Sequence, residues 1–74
     1  MANKNVHVVP HGDGWHVVRE GAHQASSQHD SQEEAIEAGT AEAKKDNVEL
    51  LVHGRDGRIR MRDSYGHDQR NVNG

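Results

Sequence analysis

The chain of 74 residues has no cysteine, no phenylalanine, a single proline and, histidine aside, only Trp15 and Tyr65 as aromatic residues. Without cysteine there is neither a disulfide nor a thiolate zinc site, the usual staples of a domain this small. The same absence is compatible with a reducing compartment. No stretch approaches the roughly 20 apolar residues of a membrane span, and the start "MANKNVHVV" has no apolar core of signal-peptide length. Also missing are a G-x-S-x-G nucleophile turn and a glycine-rich phosphate loop between strand and helix. A chain this short has little room for a ligand pocket of the usual 300 Å³ or more. These absences lead to the expectation of a soluble, cytoplasmic protein that is not an enzyme, uses no cofactor and does not enter a membrane.

Hydrophobic residues make up 31% of the chain, but seven of them are alanines. The large apolar set is eight valines, two leucines, two isoleucines, two methionines, Trp15 and Tyr65. A chain of this size forms one core and buries only about 60% of its unfolded surface. That core is thin, and pairing of two copies into a dimer would be one way to compensate. The net charge of -3 hides an asymmetry: residues 1–53 carry four Lys/Arg against nine Asp/Glu, and residues 54–74 carry five Arg against three Asp.

"NVHVVP" and "WHVVRE" are β-branched runs separated by "HGDG", which predicts a hairpin with glycine supplying positive φ in the loop. Its register would set Val8 opposite Val17, Pro10 opposite Trp15 and Val6 opposite Arg19. One face then carries Val6, Val8, Trp15 and Val17, and the other His7, Val9, His16 and Val18. "AHQASSQHD" alternates weakly and is read as a short antiparallel edge strand. In "DSQEEAIEAGTAEAKKDN", Ser31 and Glu34 have capping-box spacing, acids open the run, Lys44 and Lys45 close it, and Asn47 suits a left-handed cap. This predicts a helix of about three turns. Its inward stripe is Ala35, Ile36, Gly39 and Ala43, small enough to bring the helix close to a sheet, and Glu33, Glu37 and Glu42 are expected on its solvated face. "VELLVHG" and "RIRMRD" flank Asp56-Gly57, a signal for a two-residue type I′ hairpin turn. That register would pair Arg55 with Arg58, Gly54 with Ile59, His53 with Arg60, Val52 with Met61 and Leu51 with Arg62. Leu50, Val52, Ile59 and Met61 would face the core. The order β-β-(β)-α-β-β predicts an α+β fold: an antiparallel sheet of two hairpins with one helix packed on one face. Residues 1–68 are expected to form a single domain and residues 69–74 a flexible tail.

"HVVPHGDGWHVVREGA", the capped helix beginning "DSQEEAIEAG" and "ELLVHGRDGRIRMRDSYGHD" together resemble the small bacterial domain of unknown function 2188 family over residues 6–68. The most specific part is His53-Gly54-Arg55-Asp56-Gly57-Arg58-Ile59 followed by Ser64-Tyr65-Gly66. Similar members continue past the second aspartate into proline, where this chain has Gln69. The resemblance implies no activity, cofactor or site residue.

Chemistry is therefore sought in the residues themselves. His53, Arg55, Arg58, Arg60 and Arg62 would lie on the outer face of the second hairpin, a candidate surface for an anion or a partner. Arginine matches phosphate bidentately, and a bound backbone would relieve the repulsion of facing arginines. Net acidity, a glutamate-rich helix and few stacking platforms oppose nucleic acid. Solvated arginines also guard an exposed strand against edge pairing. A protein partner or homodimer is thus the leading expectation, and nucleic acid the second. Among seven histidines, His7 and His16 are diagonal on one face and would need His53 or a carboxylate to hold a metal, but the spacing matches no zinc motif, so no metal is expected. His53, Asp56 and Ser64 make a triad only on paper. Tyr65 is expected to fold back on the core edge and Trp15 to anchor the core.

Overall fold

Six elements follow one another along the chain: β1 (Val6–His11), β2 (Gly14–Arg19), β3 (Ser27–His29), α1 (Gln32–Asp46), β4 (Glu49–His53) and β5 (Ile59–Ser64). They come from a computed structural model that describes residues 4–66. His67, the second aspartate Asp68 and the segment expected to be a flexible tail lie outside the described residues. The strands form one sheet in the order β3-β2-β1-β4-β5, so the fold is α+β with the hairpins β1–β2 and β4–β5 side by side. The hairpins are antiparallel, but β1 and β4 run parallel through Val6–Leu50, His7–Leu51 and Val8–Val52, which makes the sheet mixed. Parallel neighbours need a long crossover. Here α1 supplies it, leaving edge strand β3 and passing over β2 and β1 to reach β4 on the far side.

The first hairpin has the register expected from its glycines and valines, with Val8 opposite Val17 and Pro10 opposite Trp15. Its two-residue loop is Gly12-Asp13, and only Gly12 has positive φ (58°), the combination a type II′ turn requires. The weakly alternating segment does pair: Ser27, Gln28 and His29 lie antiparallel to Val17, His16 and Trp15. On α1, the Ser31 hydroxyl accepts the Glu34 amide at 3.1 Å, and Asn47 closes the helix at φ 58°, ψ 50°. At 15 residues the helix is a turn longer than expected.

Gly39 explains how closely α1 sits on the sheet. A Cβ there would lie 3.0 Å from Leu50 Cδ1 and 3.1 Å from Val8 Cγ2. Ala35 and Ala43 continue the small-residue stripe, while Ile36 is only partly buried. Val6, Val8, Val17, Leu50 and Val52 are the largest fully buried side chains. Each is worth about 1.5–3 kcal/mol of transfer free energy. Glu42 departs from the expected solvated face. It accepts from Arg19 Nε at 2.6 Å and Ser26 Oγ at 3.1 Å, and Arg19 also donates to Asp46. Loss of hydration alone would lower the Arg19 pKa, but the hydrogen bonds to Asp46 and Glu42 reverse the effect and hold it raised. Arg19 thereby ties the last turns of α1 to β2. Tyr65 packs against the core, with its amide on the Val48 carbonyl and Lys44 Nζ 5.6 Å from its ring centroid.

The second hairpin differs from a two-residue turn. The Gly57 amide donates to the Gly54 carbonyl (3.0 Å) and the Gly54 amide to the Arg58 carbonyl (2.7 Å). The loop is therefore Arg55-Asp56-Gly57. Among the described non-glycine residues only Asn47 has positive φ, so Arg55 and Asp56 do not have the conformation of a type I′ turn, while Gly57 does (86°). This is the three-residue loop in which a glycine in the left-handed region follows a tight turn. Gly54, not Arg55, thus faces Arg58. Between Val52 and His53 the ladder shifts, so that His53 pairs with Ile59, Val52 with Met61, and Arg60 is the extra residue of a bulge. The bulge turns Ile59 away from the core and leaves it 48% exposed, whereas Leu51, expected outside, is 7% exposed.

Candidate functional site

The five residues expected to share the outer face of the second hairpin part company. Arg55 reaches across to the first hairpin, where Nη1 donates to the Gly12 carbonyl at 2.9 Å and Nη2 to the Gly14 carbonyl at 3.1 Å. Its guanidinium lies 4.8 Å from the Trp15 ring centroid. Trp15 is thus covered, as the core anchor it was expected to be, and Arg55 holds the two hairpin tips together. Arg60 folds back over Gly54, where a Cβ would meet its Nε at 2.7 Å, and reaches Asp56 at 3.5 Å. Arg58 approaches the same carboxylate only at 4.0 Å. Asp56 also accepts the Arg58 amide at 3.1 Å, a local bond that stiffens the loop. Exposed pairs of this kind contribute about 0–1 kcal/mol and leave the charges accessible. The Arg58 and Arg60 side chains are 85% and 63% exposed. Arg62, exposed, sits opposite Leu51 on the face of the sheet that α1 does not cover.

His53 joins a different group. Its Nε2 lies 2.8 Å from His7 Nδ1, and His7 Nε2 lies 2.9 Å from Glu20 Oε2. With Glu20 ionised, one order of donors satisfies the neutral array: His53 Nε2–H donates to His7 Nδ1, and His7 Nε2–H donates to Glu20. The array crosses the parallel seam between the hairpins on the helix-free face. Glu20 is held below the usual carboxylate range, chiefly by its bond from His7. His53 is lowered first by loss of hydration and then by the nearby His7. His16 stacks on His11 at 3.9 Å between centroids and is lowered in the same way, by loss of hydration and then by His11. His7 and His16 therefore belong to two separate pairs instead of one ligand set. Among the described residues no three His or carboxylate groups converge as a metal site.

Sequence reasoning brought His53 near His7 only as a possible third metal ligand and did not identify their direct pairing, and Arg55 carried no signal of its reach to Trp15. The paper triad comes apart: Ser64 pairs with Glu49, at the other end of the hairpin from His53. The expectation of little pocket room needs correction as well. A groove of about 410 Å³ opens where the end of β3 meets the start of α1, between His11, His16 and Trp15 on one side and His29, Asp30 and Glu34 on the other. It is a surface groove made by the short edge strand, and Ser27 Oγ holds the His29 ring at 2.8 Å beside it.

A family model described as "Uncharacterized protein conserved in bacteria (DUF2188)" matches residues 6–65, from the start of β1 to Tyr65. The chain is also similar to the "Uncharacterized protein YdaT" of Bacillus subtilis (strain 168), at 36% identity over 66 residues, covering 89% of this chain and 44% of that protein. The chain thus spans less than half the length of this relative. No solved structure matches. No described helix is long and apolar enough to cross a membrane.

Proposed function

The chain belongs to this bacterial family of uncharacterised proteins, and on that premise we propose that it is a cytoplasmic, non-enzymatic protein-interaction module whose contact side is the outer edge of the second hairpin. The observation that carries this reading is the position of β5. It is the six-residue edge of the sheet, and its arginines Arg60 and Arg62, with Arg58 just before it, are exposed. An edge strand leaves a row of backbone donors and acceptors without ladder partners, and a partner chain can pair with them. Arg55 has a structural task. Arg58, Arg60 and Arg62 make only weak surface pairs with Asp56 or lie on the open face.

Two other readings are less well supported. Nucleic acid gains from exposed arginines, but Trp15 lies under Arg55 and Tyr65 packs on the core beside Lys44, so stacking platforms for single strands are lacking. Pairing of two copies through β5 would bring like charges together at a cost. The test compares the wild-type domain with R58Q/R60Q/R62Q, each immobilised and exposed to extract of the bacterium that encodes it. The wild type is expected to retain specific proteins that the variant loses. Identical retained sets would remove the arginine edge as the contact side, and retention that nuclease abolishes would favour nucleic acid.

A further inference from the structure

The chemistry of β5 narrows the partner. Cross-strand pairing fixes which residues share a face: Arg62 stands opposite Leu51 and Ile59 opposite His53 on the helix-free face, while Met61 stands opposite Val52 and Asp63 opposite Leu50 on the helix side. A strand added outside β5 would therefore meet a cation and an exposed isoleucine on one face. On the other it would meet the partly buried Met61 and then Asp63, with Tyr65 just beyond β5; Met61 and Tyr65 are packed against the core. We propose that β5 accepts an extended peptide of alternating acidic and apolar residues as a sixth strand, its carboxylates beside Arg62 on the open face and its apolar residues continuing the core layer beside Met61.

This rests on the interaction reading above and adds the partner's conformation and charge. Main-chain pairing supplies affinity in such additions, and alternate side chains supply the choice of partner. The opposite edge, β3, has only three residues, and the open groove beside it is rimmed by Asp30 and Glu34, so it offers an acidic strand neither length nor complementary charge. A second copy of β5 would place arginine against arginine, so the edge discriminates against itself. The bulge at Arg60 limits regular pairing to the stretch after it, from Met61 toward Ser64. A short linear segment fits such an edge better than the long strand of a folded sheet.

The experiment titrates the full chain, labelled for amide spectra, with an end-blocked alternating glutamate–valine octapeptide, and with a lysine–valine octapeptide as control. The glutamate peptide is expected to shift β5 amides and slow their hydrogen exchange, with affinity falling about tenfold from low to physiological salt as the charges are screened. The lysine peptide is expected to leave the spectrum unchanged. R58Q/R60Q/R62Q should bind at least severalfold more weakly, and Arg62→Gln alone serves if the triple variant is poorly folded. Binding that moves arginine side-chain signals without protecting β5 amides would overturn strand addition while leaving the arginine edge as a contact side. Binding undiminished in the variants would overturn both. No binding at low salt, equal binding of the lysine peptide, or a dimer in sedimentation that the variant abolishes would each overturn the acidic-strand proposal.

Discussion

The Arg55 guanidinium lies 4.8 Å from the centre of the Trp15 ring while donating to the carbonyls of Gly12 and Gly14. One side chain of the second hairpin thus closes the tip of the first, and this separates Arg55 from the other arginines around it. Arg55→Ala is expected to lower stability by about 1 kcal/mol, since an exposed cation–π contact and hydrogen bonds from a charged donor are both lost. Arg62→Ala should stay within about 0.5 kcal/mol of wild type, as surface substitutions do. Urea midpoints of the two variants measure the contrast, and equal losses would contradict it.

Acid should weaken the fold in two stages. His53 and His16 have pKa values below the ordinary histidine value, so the unfolded chain binds protons more readily than the folded one. Stability is then full above about pH 6.5 and falls as the pH drops below it toward their folded values. Glu20, also lowered, adds a second loss as the pH falls through the carboxylate range. His53→Gln with His16→Gln should flatten the first stage in denaturation midpoints taken across that range. A slope unchanged by the double substitution would assign it elsewhere.

Gly39 tests how tightly the helix is seated. Gly39→Ala gains helix propensity of about 1 kcal/mol but must push Leu50 and Val8 by a few tenths of an ångström, so the two effects oppose each other. Gly39→Val has no such offset and is expected to cost about 1–3 kcal/mol by overpacking. Thermal unfolding compares them, and a valine variant as stable as wild type would mean that the helix can lift at no cost.

Asn47 holds the helix end at φ 58°, ψ 50°. Replacement by glycine should be nearly neutral, because either residue tolerates this region, while Asn47→Val should cost about 1–2 kcal/mol, because a β-branched side chain is crowded there and has no polar group to bond the local backbone. Equal midpoints for the two variants would place the helix stop in the following strand.

Local chemistry was legible where neighbours in the chain decide it. Ser31, Glu34, Lys44, Lys45 and Asn47 announce the helix and its ends, and the valines around Gly12 set the register of the first hairpin. The Asp56-Gly57 pair was ambiguous by nature: the glycine can occupy the last position of a two-residue or of a three-residue loop, and each shifts the strand beyond it. Choosing the shorter loop put Ile59 in the core and Arg55 on the outer face. The bulge at Arg60 had no signal of its own, since alternation in "RIRMRD" fits either face. The array of Glu20, His7 and His53 depends on β1 lying parallel to β4, a pairing made only by the path of the helix. Contacts of that range have no local periodicity to reveal them.

The openness of β5 underlies the proposed function, and amide hydrogen exchange of the free full chain measures it directly. Local opening spans free energies from near zero at frayed segments to the global value in core strands. Amides of Met61 to Ser64 that do not bond to β4 are expected to exchange at least about a hundredfold faster than those of β1, at any protein concentration. Equal protection of β5 and β1, in dilute and concentrated samples alike, would mean that other residues of the same chain already cover the edge, and would contradict a contact side there.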